Sequence, residues 1–236
     1  MKFIRRLILG ILAAVILTAS LLVYRGYREY RASVFQKSTV MAVKEYTEKS
    51  GYLPFDEIDT DFVNAVIAVE DKRFFSRHGF DWVALIRALL NNLEAGRAVE
   101  GASTITQQVA KNLYYLDRRR GLEEKIAEVF MMMDLEHYFS KREIFALYAN
   151  MNYYGDGYWG VKNASLGYFS KEPNDLSIAE AALLAGIPNA PGIYQLSTGY
   201  DRAMQRQKKV LRRMREEDMI SETEYQTALS EEIQTQ

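Results

Sequence analysis

Eighteen consecutive residues without a charge, Leu7 to Tyr24, constrain this 236-residue chain more than any other feature. As a helix they would span roughly 27 Å at ~1.5 Å per residue, close to the apolar thickness of a bilayer. A helix buried in a soluble core normally keeps a polar stripe, and here only Thr18, Ser20 and Tyr24 carry hydroxyls. A cleaved signal peptide is the other rival. Thr18-Ala19-Ser20 is a small-residue triplet, but a cut there would leave Leu21-Leu22-Val23 at the new terminus, and the apolar run is longer than a usual signal core. The run is therefore expected to persist as an anchor. Lys2, Arg5 and Arg6 on one flank are matched by Arg25, Arg28 and Arg31 on the other, so only the terminal amine tips the N-terminus inward. The expected division is an anchor at 1–24, a connecting segment at 25–57 and a folded domain at 58–236.

Beyond the anchor the patterns are helical. Asp59 or Thr60 precedes Phe62, Ala65, Val66 and Val69 on one helical face, and Asp81 precedes Trp82, Leu85, Leu89 and Leu93, with Gly96 as a stop. Ser140 to Glu143, Ser177 to Glu180 and Ser221 to Glu224 are capping boxes, in which a Ser oxygen and a Glu carboxylate satisfy amide groups that a helix end leaves unpaired. No stretch alternates long enough to make a convincing strand. Hydrophobic residues at 48% suit a folded chain. The expected fold class is all-α.

Composition then removes several functions. A net charge of -1 argues against a bulk nucleic-acid binder. The absence of Cys excludes disulfides, thiolate metal sites and Cys nucleophiles, and two His, His78 and His137, exclude a His-rich metal site. Charge is nonetheless uneven. Arg118, Arg119 and Arg120 form one basic cluster. Arg202, Arg206, Lys208, Lys209, Arg212, Arg213 and Arg215 form another, along a helix whose apolar line is Met204, Leu211 and Met214. Such a run is normally a solvated face; contact with anionic lipid headgroups is the alternative for an anchored domain.

Two segments carry chemistry. Glu70 and Asp71 fall at the C-terminal end of the helix through Val69, where the helix dipole disfavours carboxylates. The apolar approach Ala65 to Val69 would desolvate Glu70 and raise its proton affinity, as a general base requires. The plainer reading is a solvated acidic pair bridged to Lys72 and Arg73. His78 alone reads as a structural hydrogen-bonding residue. The second segment is Gly101-Ala102-Ser103-Thr104-Ile105-Thr106-Gln107-Gln108-Val109-Ala110-Lys111-Asn112. Ser103 is placed to cap the helix that follows, and Gln107 and Lys111 share a face at i, i+4. A helix start preceded by Gly, with hydroxyls and a Lys, can hold an anionic oxygen, which suggests an anion or sugar site; a merely polar amphipathic helix is the alternative.

The succession Glu70, Asp71, Phe74, His78 and Gly79, followed by the segment from Gly101 through Ser103-Thr104-Ile105-Thr106-Gln107-Gln108 to Lys111-Asn112, resembles the peptidoglycan glycosyltransferase family. These are the transglycosylase modules of class A penicillin-binding proteins and their monofunctional relatives. The resemblance continues through Lys125-x-x-Glu128, then Ser140-Lys141-x-Glu143-Ile144 with Tyr148, Asn150 and Gly155, and then Leu176 to Tyr194, in unbroken order over about residues 58 to 225. Departures are Glu124 where the family has Arg, a loop before Glu128 one residue longer than is common, Ser170 for Gly, and Gln195-Leu196 for Asn-Pro. The longer loop makes Arg120, with Arg119 next to it, the match for the family's phosphate-binding Arg.

The resemblance implies a lysozyme-like helical domain with a smaller membrane-associated lobe. It implies an inverting glycan polymerisation in which lipid II is the acceptor and the growing chain on undecaprenyl pyrophosphate is the donor. It implies Glu70 and Glu128 as catalytic residues, and Asp71, His78, Ser103, Thr104, Gln107, Gln108, Lys111, Arg119, Arg120 and Asn150 as substrate-binding residues. Mg2+ or another divalent cation accompanies some members; no organic cofactor is expected. Expected partners are membrane lipids and other cell-wall synthesis proteins, with no nucleic acid, at the outer face of a bacterial cytoplasmic membrane. Transpeptidases need Ser-x-x-Lys, which this chain lacks, so a chain without that activity, or the glycosyltransferase part of a longer one, is expected. A lytic muramidase, an inactive anchored scaffold and a polybasic lipid-binding module remain alternatives. The cations of the second segment, the intact Glu70, Lys111 and Glu128, and the distance of the larger basic cluster from the anchor weigh against them in turn.

Overall fold

The computed structural model describes residues 2–77, 103–114 and 121–235. The helix expected from Asp81 to Gly96, His78 and the cluster Arg118 to Arg120 lie outside these residues. The described helices are α1 (Lys2–Gln36), α2 (Thr39–Thr47), α3 (Thr60–Glu70), α4 (Ile105–Tyr114), α5 (Leu122–Tyr138), α6 (Lys141–Met151), α7 (Val161–Phe169), α8 (Ile178–Gly186), α9 (Pro191–Tyr194), α10 (Leu196–Glu216) and α11 (Glu222–Ser230). Among the described residues β pairing is limited to one isolated bridge, Tyr153 with Trp159. The all-α expectation therefore holds there.

Local chemistry sets the helix ends. The Asp59 carboxylate accepts from the Phe62 amide at 2.9 Å and starts α3. The three capping boxes form as the spacing required: Ser140, Ser177 and Ser221 accept from the amides of Glu143, Glu180 and Glu224, and each Glu carboxylate returns to its Ser amide. At α4 the cap is Thr104 instead of Ser103. The Thr104 Oγ1 accepts from the Gln107 amide at 3.2 Å, and Gln107 Oε1 accepts from the Thr104 amide at 2.9 Å. A hydroxyl caps only from the residue directly before the first helical turn, and the turn begins one residue later than the Ser103 reading required.

Helices α6 and α8 form the centre. Ile144 to Tyr148 and Ala179 to Ile187 are almost wholly buried, and α3 and α10 pack on α8 while α4 packs on α5 and α6. This arrangement brings the end of α3, the start of α4 and the polar face of α10 to one place.

Helix α1 is long and apolar enough to cross a membrane, and its apolar part is exposed along its length. It does not stop at Tyr24. Residues 25–36 continue the helix and dock in parallel on α5. Arg25 Nη1 pairs with Glu123 at 3.2 Å, the rings of Tyr27 and Tyr30 lie 5.2 and 5.6 Å from that of Phe130, and the Tyr30 hydroxyl donates to Asp134 at 2.9 Å. Gly26 lies in the contact: a Cβ there would stand 2.5 Å from Ile126 Cβ, so only a glycine lets the two helices come this close. The start of the expected connecting segment is thus part of the packed structure.

Candidate active site

Glu70 is the last residue of α3. Its Oε2 accepts from Gln108 Nε2 at 2.7 Å, and its Oε1 lies 3.9 Å from Arg206 Nη2. The side chain keeps only 13% of its surface exposed. That burial raises its pKa above the ordinary glutamate value, with Gln108 and Arg206 opposing the shift and Asp71 adding to it.

Asp71 points the other way. Its Oδ2 pairs with Arg77 and accepts from the Ile105 amide at 3.3 Å. Ile105 opens α4, so Asp71 ties the end of α3 to the start of α4. Gln108, one turn into α4, is thereby set against Glu70. A second lock acts from behind: the Thr106 hydroxyl donates to Glu136 at 2.6 Å, and Lys141 Nζ meets the same carboxylate at 2.6 Å, joining α4, α5 and α6. Instead of pairing with its acidic neighbours, Lys72 reaches Glu217 at 2.8 Å. The solvated pair expected from charge alone is replaced by two carboxylates with separate duties.

Glu70 opens on a cavity of about 790 Å³. One wall comes from α4, α5 and Ser103, two residues before α4, with Gln107, Gln108, Lys111, Lys125 and Glu128. Glu128 has no exposed side-chain surface and accepts from Lys125 Nζ at 2.8 Å; the same Nζ donates to Ser103 Oγ at 3.4 Å. The other wall comes from α10, with Arg206, Lys209, Arg212, Arg213 and Glu216.

The structure thus gathers Glu70, Ser103, Gln107, Gln108, Lys111 and Glu128 around one cavity. Asp71 and Thr104 support it from beneath, as ties and caps. Asn150 does not join them. Its Oδ1 accepts from the Leu53 amide at 2.9 Å, and its Nδ2 donates to the carbonyls of Leu53 and Ala146 at 2.8 and 2.7 Å. The buried amide holds the segment before α3 against α6, and it does not line the cavity. His78, Arg119 and Arg120 lie outside the described residues.

Sequence reasoning missed the α10 wall. Arg206, Lys209, Arg213 and Glu216 follow one another at helical spacing, and that much was visible. Whether the polar face looked to solvent, lipid or a cleft was not.

Among the described residues no three carboxylate or imidazole side chains converge as a metal site would require. The positive charge of the cavity comes from Lys and Arg. The arrangement suits removal of a proton from a neutral hydroxyl beside an anionic leaving group: a poised carboxylate at the bottom and preorganised cations around it.

The family model described as Transglycosylase matches residues 36–215. Penicillin-binding protein 1A of Aquifex aeolicus is 44% identical over 186 residues, covering 79% of this chain and 26% of that protein. Penicillin-binding protein 2D of Bacillus subtilis is 40% identical over 191 residues, covering 81% of this chain and 28% of that protein. Among solved structures, penicillin-binding protein 1A from Haemophilus influenzae aligns with a TM-score of 0.40 at 29% identity, over 57% of this chain and 17% of that one. The chain spans about a quarter of the length of the curated relatives it matches.

Proposed function

Because the chain belongs to the transglycosylase family, we propose that it is a peptidoglycan glycosyltransferase that polymerises glycan chains from lipid II. The observation that carries this reading is the placement of Glu70, a desolvated carboxylate with a raised pKa, at a cavity lined by cations. The acceptor's sugar hydroxyl gives its proton to Glu70 as its oxygen attacks the donor's anomeric carbon. The bond from that carbon to the pyrophosphate breaks, and the electron pair leaves with the anion. Attack from the side opposite the leaving group inverts the centre, giving a β-1,4 link. The leaving group departs as a stable anion, so positive charge serves better than a general acid, and Lys111 is placed to supply it. Glu128, buried against Lys125, keeps that ammonium at the cavity wall. Helix α1 confines the enzyme to the bilayer that also holds both lipid-linked reactants, which raises their effective concentration. We place the catalytic domain on the outer face of the cytoplasmic membrane, where such a polymer is used.

The test is to give the purified full chain, in detergent, labelled lipid II and to size the product. Long glycan from wild type and none from Glu70→Gln is the expected result. Absence of polymer from the wild type, or release of short fragments from preformed glycan, would overturn the reading, the second in favour of a lytic muramidase.

A further inference from the structure

Three buried polar atoms near Glu70 close no hydrogen bond among the described residues: the Tyr148 hydroxyl, Asn152 Nδ2 and Arg206 Nε. Tyr148 lies on α6, Asn152 caps that helix one turn later, and Arg206 lies on α10. Asn112 of α4 fixes the orientation of Asn152: its Nδ2 donates to Asn152 Oδ1 at 3.1 Å, which leaves Asn152 Nδ2 to face the Tyr148 oxygen. Gln108, one turn before Asn112 on the same face of α4, holds Glu70 at 2.7 Å. The charges of Glu70 and Arg206 both act on the Tyr148 hydroxyl, and Arg206 Nη2 stands 3.9 Å from Glu70 Oε1. Side chains of α4, α6 and α10 thus meet behind the base. The cavity does not reach this place: neither Tyr148 nor Asn152 lines it, and Tyr148 has no exposed surface.

Each of these atoms carries a hydrogen to donate, and a buried donor left unpaired costs free energy. Asn152 has the Tyr148 oxygen to turn to. The Tyr148 O–H and the Arg206 Nε–H need an acceptor, and a place this enclosed admits one the size of water. We propose that an internal water sits between Tyr148, Arg206 and Glu70 and that Tyr148 thereby acts as a positioning residue for the base, an assignment that rests on Glu70 serving as the base of the proposed reaction. The water oxygen accepts from Tyr148 and Arg206, and one of its hydrogens goes to the Glu70 carboxylate, which gives the ~3 hydrogen bonds usual for a buried water. The bond to Glu70 favours its charged form. It opposes the burial that raises the pKa, and it holds the carboxylate from behind while Gln108 holds it from α4. The other charges that bear on Glu70 are Arg206 of α10, Lys111 of α4 and the neighbouring Asp71. Helix α8, which also packs on α3, is alanine and leucine from 181 to 185, and its Glu180 is engaged by Lys171 at 2.8 Å.

The experiment has two arms, both on the full chain in detergent. In the first, crystal structures of wild type and Tyr148→Phe are compared. Wild type should show an ordered water within hydrogen-bond distance of the Tyr148 hydroxyl, Arg206 Nε and the Glu70 carboxylate, and the variant should lose it. In the second, kcat/KM for labelled lipid II is followed against pH for wild type, Tyr148→Phe and Asn152→Ala, after matched thermal melts. Glu70 must be ionised to act, so activity falls on the acid side as it takes up a proton. Loss of a hydrogen bond to the ionised form moves that fall to higher pH, by about one pH unit for Tyr148→Phe and less for Asn152→Ala. At a fixed pH on the slope, Tyr148→Phe is then about tenfold slower than wild type, while KM on the plateau is unchanged because Tyr148 does not line the cavity. A merely structural role would lower the melting temperature or the plateau and leave the position of the fall where it was. If Tyr148→Phe does not fold, Asn152→Ala and the wild-type density decide. No water at that position, or an acid-side fall that coincides with wild type or moves to lower pH in the folded variants, would overturn the assignment. A wild type that forms no polymer would instead remove the polymerase reading, with the water still decided by the density, so the two failures are distinguishable.

Discussion

Gly26→Ala places one methyl group where α1 crosses α5, and the structure says what that methyl meets. The new Cβ would lie 2.5 Å from both Cβ and Cγ2 of Ile126 and 3.0 Å from the Glu123 carbonyl oxygen. Ordinary carbon contacts lie near ~3.5–4.0 Å, so the helices must part by about 1 Å. Ile126 is branched at Cβ and cannot swing away, and the carbonyl belongs to the α5 backbone. Overpacking of this kind costs about 1–3 kcal/mol. Replacing a helical glycine with alanine returns about 1 kcal/mol. The net expectation is a loss of about 0–2 kcal/mol, and Gly26→Leu should fall at or beyond the upper end. At ~2–4 °C per kcal/mol for a domain of this size, Gly26→Ala should melt up to roughly 8 °C below wild type in detergent. Gly10→Ala is the control, because nothing lies within 4 Å of its added Cβ; it should show no loss. Displacing α1 also moves the helix that carries Lys125 and Glu128, so polymerisation should fall with Gly26→Leu. If Gly26→Leu melts at or above wild type, α1 is not docked on α5 at this point, and the reasoning fails.

Glu70→Gln should lower product formation by at least ~100-fold, the scale of a lost general base, while lipid II binding changes far less. The same variant tests the raised pKa. The folded chain holds the Glu70 proton more tightly than the unfolded chain, so the stability linked to it is complete below the ordinary glutamate range and is lost as pH rises through the folded value. Glu70→Gln should accordingly melt above wild type near neutral pH, with the gap closing on acidification; a gap that widens on acidification would refute the direction of the shift. Lys111→Ala should cost roughly 100–1,000-fold in turnover, as loss of a preorganised charge does, and unchanged turnover would remove it from the site. Deleting residues 1–24 should leave a folded domain that melts like the full chain. Deleting 1–36 should lower the melting temperature, because it strips Tyr27 and Tyr30 from Phe130 and Asp134; equal melting of the two truncations would count against the docking.

What the sequence determined by itself is whatever depends on neighbours along the chain. The span of Leu7–Tyr24 follows from an unbroken uncharged run, and the cap at Asp59, the three Ser–Glu boxes and the position of Glu70 at a helix end follow from spacing, because each of these involves groups within about one helical turn. The Ser103 to Lys111 segment was legible as a polar helix start, the resemblance added Glu128, and the structure brings Glu70, Gln108, Lys111 and Glu128 to one cavity although they come from three helices. What only the tertiary structure decided is where a polar group looks once helices have packed. Asn150 and Lys111 are both polar residues late in amphipathic helices. One is saturated by the backbone of the segment before α3, and the other lines the cleft. The basic stripe of α10 would have the same spacing on a solvent face as on a cavity wall. Its direction is fixed by Val210, Leu211 and Met214 burying themselves against partners far away in sequence. Gly26 likewise gave no signal, because a glycine within a helix acquires meaning only when Ile126 arrives, a hundred residues later in the chain. Hydrophobic burial rewards any packing that covers the apolar stripe, so it is the shape and order of the partners that select which polar groups meet.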